Sequence, residues 1–183
     1  MTDSIISLPR RSLIALCGPA GAGKSTFAHD LIERNHLPET AIVSSDICRL
    51  MLCDDPRSVA REQWGILQPD TFRLFGTIID MRMNMGRPVL ADTVNLYFNT
   101  RPDMLGLARK HAYRSTLVVF DLSVKTCLSQ NHQRPEHRRI PEPAIHQQRQ
   151  LLDAALPHLA AEGWDHIVVL NEQRRTATIE LDS

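Results

Sequence analysis

Neither sign of charge is in excess, for 21 Lys and Arg stand against 21 Asp and Glu in 183 residues. Without an overall cationic field, non-specific adhesion to a nucleic-acid duplex is excluded as a general property, and any contact with a polyanion must come from a local basic cluster. Apolar runs are short, far below the ~20 residues of a membrane-crossing helix, so no membrane partner is expected. Cysteines are few, and Cys17, Cys48, Cys53 and Cys127 lack both the paired spacing of a metal site and the density of a disulfide scaffold. Reduced thiols in a cytoplasmic protein are the expectation, and Met1 to Pro9 has neither the basic start nor the apolar run of a secretory signal. Repeats, low-complexity tracts and linkers are missing too, so residues 1–183 read as a single domain with its core over about 12–171. What remains is 43% hydrophobic and 23% charged, the composition of a globular chain that buries a core.

Short, β-branched apolar runs alternate with longer amphipathic segments. The runs are Ser12–Cys17, Ala41–Ser44, Pro88–Ala91, Thr116–Leu122 and His166–Leu170. Their unbroken apolar character predicts strands of a parallel sheet buried on both faces. Helices are predicted over Lys24–Asn35, Pro69–Met85 (Pro69 in the first turn, Gly86 at the stop), Thr100–His111 capped by Thr100, and from a Ser123 cap to about Asn131. A further helix, Pro143–Glu162, should kink or split at Pro157. Five strands joined by helices give a three-layer α/β sandwich with right-handed crossovers. The tail after Glu172 reads equally as an extra strand or as disordered chain.

Between the first strand and the first helix stands Gly18-Pro19-Ala20-Gly21-Ala22-Gly23-Lys24-Ser25, a full G-x-x-x-x-G-K-[ST] match, followed by Thr26. Placed after an apolar strand and opening a helix, this string predicts a phosphate-binding loop and hence a bound nucleotide. Glycines let the backbone approach the phosphates and aim N–H groups at them. The helix beginning near Lys24 adds unpaired donors and its positive dipole end. Lys24 can bridge β- and γ-phosphate oxygens, and the Ser25 hydroxyl can ligate the metal.

The second strand ends in Ser44-Ser45-Asp46-Ile47-Cys48-Arg49. Ligands of an open α/β sheet bind beyond the carboxyl ends of its strands, so this segment should line the same cleft. Asp46 and Arg49 fall at i, i+3 on one helix face, which suits a cap with a helical ion pair. It suits equally a carboxylate that orients an acceptor hydroxyl beside a guanidinium that grips an anion. Asp92, at the end of the third strand, is placed to hold the metal or its waters, unless it is a buried capping residue. Residues 129–142 (SQNHQRPEHRRIPE) carry Arg134, Arg138 and Arg139 and almost no core residues. They form either an exposed basic loop or a lid whose arginines meet the triphosphate. His132 and His137 have no companion ligands for a metal site. Trp64 and Phe98 are isolated aromatics, candidates for packing or for base stacking.

The strings Gly18–Thr26 with Phe27-Ala28, Ser44-Ser45-Asp46-x-x-Arg49 and Leu90–Asn95 (LADTVN) together resemble the 5′-hydroxyl polynucleotide kinase domain, most of all the kinase module of bacterial RNA-repair polynucleotide kinase-phosphatases. The resemblance extends from about Ser12 to Asn171. It implies an adenylate-kinase-like fold with a lid, ATP and Mg²⁺, and a 5′-OH RNA or DNA acceptor. It assigns Lys24 and Ser25 to the donor, Asp46 to the general base, Arg49 to the phosphate next to the acceptor hydroxyl, and Arg134 to the transition state. Departures from the family pattern are Gln130 where a further lid arginine is usual, His137 with Arg138 and Arg139 adjacent where a third is usual, and Asp92-Thr93-Val94-Asn95 for Asp-Ala-Thr-Asn.

Three functions fit these residues. One is an ATP-dependent kinase of a polynucleotide 5′-hydroxyl end, of the end-healing type. Another keeps the enzyme class and changes the acceptor to a small-molecule hydroxyl, a sugar, nucleoside, antibiotic or sugar-nucleotide, for which Gln130 and the neutral charge balance argue. A third is a nucleotide-binding switch that transfers nothing, against which Asp46 argues, since a switch needs no acceptor base. RNA-versus-DNA preference and oligomeric state have no signature in the sequence.

Overall fold

Strand β2 (Ser12–Cys17) is apolar because the chain covers it from both sides. Leu13, Ala15 and Cys17 point into one core and Ile14 and Leu16 into another, as strand alternation requires. The computed structural model describes residues 5–53, 61–97 and 99–182. Phe98 lies outside the described residues, and so do the side chains of Trp64 and His137.

The five expected strands form one parallel sheet in the order β3 (Ile42–Ser44), β4 (Val89–Asp92), β2, β5 (Arg114–Asp121), β6 (His166–Asn171). Parallel neighbours need crossovers, and helices supply them. Helices α3 (Arg61–Asn84) and α4 (Thr100–Lys110) cover the Leu13 face, through Phe75, Ile79, Met83, Met104, Leu105 and Ala108. On the Ile14 face α1 (Lys24–Arg34) packs Ala28, Leu31 and Ile32, and α5 (Val124–His132) packs Cys127. Helix α6 (Glu142–Ala155) serves both cores, with Ile145 in one and Leu152 and Ala155 in the other. The result is the α/β three-layer arrangement expected. Among the described residues no helix is long and apolar enough to cross a membrane.

Several boundaries differ from the sequence expectations for local reasons. Residues Glu39–Ala41 form a 3₁₀ turn, so β3 starts only at Ile42. Pro69 lies inside α3 rather than in its first turn. The residue one turn before it is Gly65, whose backbone can yield where a proline ring presses on a carbonyl. Asn99, not Thr100, occupies the cap position of α4, and the Thr100 hydroxyl instead donates to the Tyr97 carbonyl at 3.0 Å. Ser123 does cap α5, accepting from the Thr126 N–H at 3.2 Å. Pro157 falls in a 3₁₀ stretch, Leu156–Ala161, which is where the long helix ends.

The tail resolves as strand β7 (Thr178–Leu181), paired in parallel with β1 (Ile5–Leu8), a strand the sequence reading did not foresee. Two four-residue strands are too small to stand alone. Asn35 at the end of α1 holds them: its amide donates to the Ile179 carbonyl at 2.9 Å, and its oxygen accepts from the Leu181 N–H at 2.7 Å. Leu8 and Ile179 complete the attachment by entering the α1 core. Asn35→Ala should therefore lower stability by about 1–3 kcal/mol. Denaturant melts check the stability, and amide exchange should quicken at 178–181 while the central sheet stays protected.

Candidate active site

Strand β2 is central, and its neighbours β4 and β5 leave it on opposite sides, so the crevice of the sheet opens at its carboxyl end. The turn Gly18–Gly23 sits there and delivers the chain into α1. At Gly21 (φ +79°) a Cβ would lie 2.2 Å from the Cys127 carbonyl oxygen of α5, so no larger residue fits without moving backbone. Gly23 (φ +88°) is the cap residue of α1, in the left-handed conformation. The first bond of that helix is from the Phe27 N–H to the Gly23 carbonyl, leaving the N–H groups of Lys24, Ser25 and Thr26 without partners inside the helix. These donors at the positive end of α1 suit a phosphate.

Neighbouring segments hold the turn from two sides, and one bond closes it on itself. The Gly18 N–H donates to the Val94 carbonyl at 2.9 Å, and the Ala20 N–H to the Gln148 side-chain oxygen of α6 at 2.7 Å. The Ala22 N–H closes on the Pro19 carbonyl at 3.3 Å. Lys24 is buried and folds over the turn, its ammonium donating to the Gly18 and Pro19 carbonyls at 2.9 and 2.7 Å. Burial pulls the Lys24 pKa down, Asp92 opposes that, and Arg134 adds to it. An ammonium so placed gains from the arrival of an anion.

The Ser25 hydroxyl donates to an Asp92 carboxylate oxygen at 2.8 Å, joining α1 to the end of β4. Two hard oxygens side by side next to a phosphate site fit Mg²⁺, which takes one or two protein oxygens and completes its shell with phosphate and water. No group of three His, Cys, Asp or Glu among the described residues offers an all-protein metal cage.

On the other side of Asp92, β3 ends and helix α2 (Ser45–Cys53) begins, with Asp46 in its first turn. Arg49 donates to Asp46 at 2.8 Å and to the Gln68 side-chain oxygen of α3 at 3.1 Å. The Arg49 side chain is 11% exposed and that of Asp46 75%, so a largely covered arginine presents an open carboxylate. Half in solvent, the pair adds little to stability.

The arginine-bearing segment flanks the cleft, with Gln133, Arg134 and Pro135 in its lining. Asn131, buried at the end of α5, donates to the Ile140 carbonyl at 2.8 Å and accepts its N–H at 3.0 Å, pinning both ends of the loop between them. Arg134 is half-buried within it. Burial and the neighbouring Arg138 lower the Arg134 pKa, while Asp46 and Asp92 work against them. One guanidinium thus interacts with the acidic groups of two strand ends and with Lys24. Arg138 is exposed on the short turn Glu136–Arg138, beside Arg134 rather than in the wall of the cleft. Gln130 lies against Gly23, its side-chain oxygen 3.7 Å from where a Cβ would be. The open cleft beside these groups, about 980 Å³, includes Gly21, Gly23, Thr26, Gln130 and Arg134 in its lining.

Three supporting residues escaped the sequence reading, Asn131, Gln148 and Arg101. Arg101 of α4 is buried, paired with Glu162 at 2.7 Å and donating to the Asn95 carbonyl at 2.7 Å. Asn95, at φ +50°, donates in turn to the Leu16 carbonyl at 2.8 Å, so the segment after Asp92 is tied to β2. No motif marks these residues, since each acts through a contact distant in the chain.

Gly21→Ala should cost about 2–4 kcal/mol, from the clash with α5 and the left-handed backbone together. It should also abolish the thermal shift given by ATP with Mg²⁺. Gly106→Ala, in α4 with open space around the new methyl, is the control, neutral or stabilising by up to ~1 kcal/mol.

Solved structures with the same fold include several kinases. A presumed kinase from Chloroflexus aurantiacus j-10-fl superposes with a TM-score of 0.66 at 12% identity, over 89% of this chain and 86% of that one. A chain of the Pnkp1/Rnl/Hen1 RNA repair complex gives 0.66 at 22% identity, over 84% of this chain and 47% of that one, so this chain spans under half its length. A gluconokinase from Sinorhizobium meliloti 1021 gives 0.53 at 17% identity, over 89% and 83%. At these identities the likeness is one of fold. The family model for the AAA domain AAA_33 matches residues 13–155, from β2 through the last residue of α6. The chain belongs to that family, and its fold is that of a P-loop kinase-like domain.

Proposed function

We propose that the protein is a kinase that transfers the γ-phosphate of ATP to the 5′-hydroxyl end of a polynucleotide. The observation that carries this reading is the Asp46–Arg49 pair, an open carboxylate held at 2.8 Å by a largely covered arginine, with Arg134 in electrostatic contact with Asp46. A carboxylate that accepts a hydroxyl proton belongs at the acceptor, and a guanidinium beside it suits an acceptor that carries its own phosphate next to the reacting hydroxyl. The likeness to a chain of an RNA repair complex supports the same reading.

In this mechanism the turn and the first N–H groups of α1 bind the donor phosphates, and Lys24 turns from the Gly18 and Pro19 carbonyls to the β- and γ-oxygens. Ser25 and Asp92 would hold Mg²⁺, directly or through its waters, and the ion would supply charge neutralisation for the donor phosphates. Asp46 orients the 5′-hydroxyl in line with the γ-phosphorus and takes its proton as the oxygen–phosphorus bond forms and the bond to ADP breaks. Arg49 grips the phosphate on the acceptor, and Arg134 meets the charge that spreads over the transferring group. Phosphoryl transfer asks chiefly for such positioning, so a carboxylate of modest basicity suffices. Neutral overall charge agrees with recognition of one terminal nucleotide rather than a long track.

The second reading, a small-molecule hydroxyl as acceptor, is favoured by Gln130, whose neutral amide lies against Gly23 where a cation would add charge stabilisation.

Incubation with γ-labelled ATP, Mg²⁺ and short 5′-OH RNA and DNA should label the oligonucleotide ends. Asp46→Asn should lower kcat about 10²–10⁴-fold with ATP binding unchanged. Arg49→Ala should raise the acceptor KM about 10–100-fold for a dinucleotide and leave a mononucleoside without a 3′ phosphate unaffected. No label on either oligonucleotide, with nucleotide binding intact, would transfer the assignment to the small-molecule reading.

A further inference from the structure

A second cleft, about 720 Å³, runs between α3 and α4 on the side of the sheet facing away from α1. Phe72, Phe75 and Met104 give it an apolar floor, and Gln68, Tyr97 and Asp103 give it a polar rim. None of its described lining residues is a lysine or arginine. The α3 wall is bare at Gly65 and Gly76, where, apart from the helix's own backbone, no described atom lies within 4 Å of the position a Cβ would take. Glycine inside a helix weakens it relative to alanine, so this open wall is kept at some expense to α3.

The cleft joins the acceptor side of the site through one residue. Gln68 on its rim accepts from Arg49 at 3.1 Å, and the same guanidinium holds Asp46 at 2.8 Å. The cleft thus reaches, at Gln68, to within one guanidinium of the carboxylate assigned as base. With no lysine or arginine among its described lining residues the cleft does not suit phosphate, and with an apolar floor it does not suit a sugar acid. Flat apolar surface edged by an amide, a phenol and a carboxylate suits a heteroaromatic ring, whose faces are apolar and whose edge forms hydrogen bonds. Tyr97, 45% exposed at the rim, offers a stacking face.

We infer that the α3–α4 cleft holds the base of the acceptor's 5′-terminal nucleoside, with the following phosphate on Arg49. This rests on the kinase reading, and deepens it by naming where the acceptor's specificity lies. A base in this cleft sets the 5′-hydroxyl toward Asp46 and leaves the rest of the strand to run outward past α2.

The test fills the cleft from its open wall. Gly76→Phe places a ring in the space a base would take, and Gly76→Ala is a fold control that should melt at or above the wild-type temperature. With the dinucleotide ApA as acceptor, Gly76→Phe should raise the acceptor KM at least tenfold and leave the KM for ATP within twofold. Calorimetry should show ApA binding weakened as much, and wild-type enzyme should bind a dinucleotide with an abasic 5′ residue at least tenfold more weakly than ApA. If Gly76→Phe fails to fold, Tyr97→Ala should raise the acceptor KM about fivefold. Unchanged acceptor KM and affinity in the filled variant, or wild-type binding indifferent to the 5′ base, would overturn the cleft assignment and leave the kinase reading standing. Base-dependent binding of ApA without phosphate transfer would overturn the kinase reading and leave the cleft as a nucleoside site. Light scattering that shows a dimer abolished by Gly76→Phe would give the cleft to a second copy of the chain and overturn the inference.

Discussion

The site depends on how closely the phosphate-binding turn approaches α5. Gly21 passes the Cys127 carbonyl with room for a hydrogen and nothing larger, and the same missing methyl would sit 3.4 Å from Asn131. That contact fixes the turn against the helix from which the arginine-bearing loop departs. Because Asn131 also clasps Ile140, the turn, α5 and both ends of the arginine-bearing loop are tied together. Arg134 is carried within it, which is why a residue 110 positions from Lys24 in the chain influences its charge.

Around that contact the chain gathers acidic and basic groups from different strand ends. Asp92 comes from β4, Asp46 from the end of β3 and Lys24 from the end of β2. A parallel sheet makes this gathering unavoidable, since all carboxyl ends share one edge. Buried bonds then supply precision: Gln148 from α6 to the turn, and Glu162 through Arg101 and Asn95 to β2. These anchors lie outside the cleft, so their loss would loosen the geometry without removing a reacting group.

What was legible in the sequence follows the range of the interactions involved. The phosphate turn, Lys24 and Ser25 could be read because their chemistry lies in one eight-residue string. The central strands could be read because burial on both faces leaves unbroken apolar runs. The pairing of β1 with β7 could not, since four-residue strands some 173 positions apart give no local pattern. Asn131, Arg101 and Gln148 were invisible for the same reason, acting across 9, 61 and 128 positions. A proline near a helix start reads as its opener, yet α3 runs through Pro69, because Gly65 one turn earlier can yield to the proline ring. The α3–α4 cleft left only two glycines in a helical stretch as its trace.

The central claim is that the turn, the Ser25–Asp92 pair and the Arg134 lid converge on one polyphosphate. Hydrogen exchange with and without Mg²⁺ and a non-hydrolysable ATP analogue tests it most directly. The account predicts that protection rises together at residues 21–26 and 129–142, and that Arg134→Ala removes the second while sparing the first. Protection at the turn alone in the wild-type protein, with 129–142 unaffected by the analogue, would contradict it.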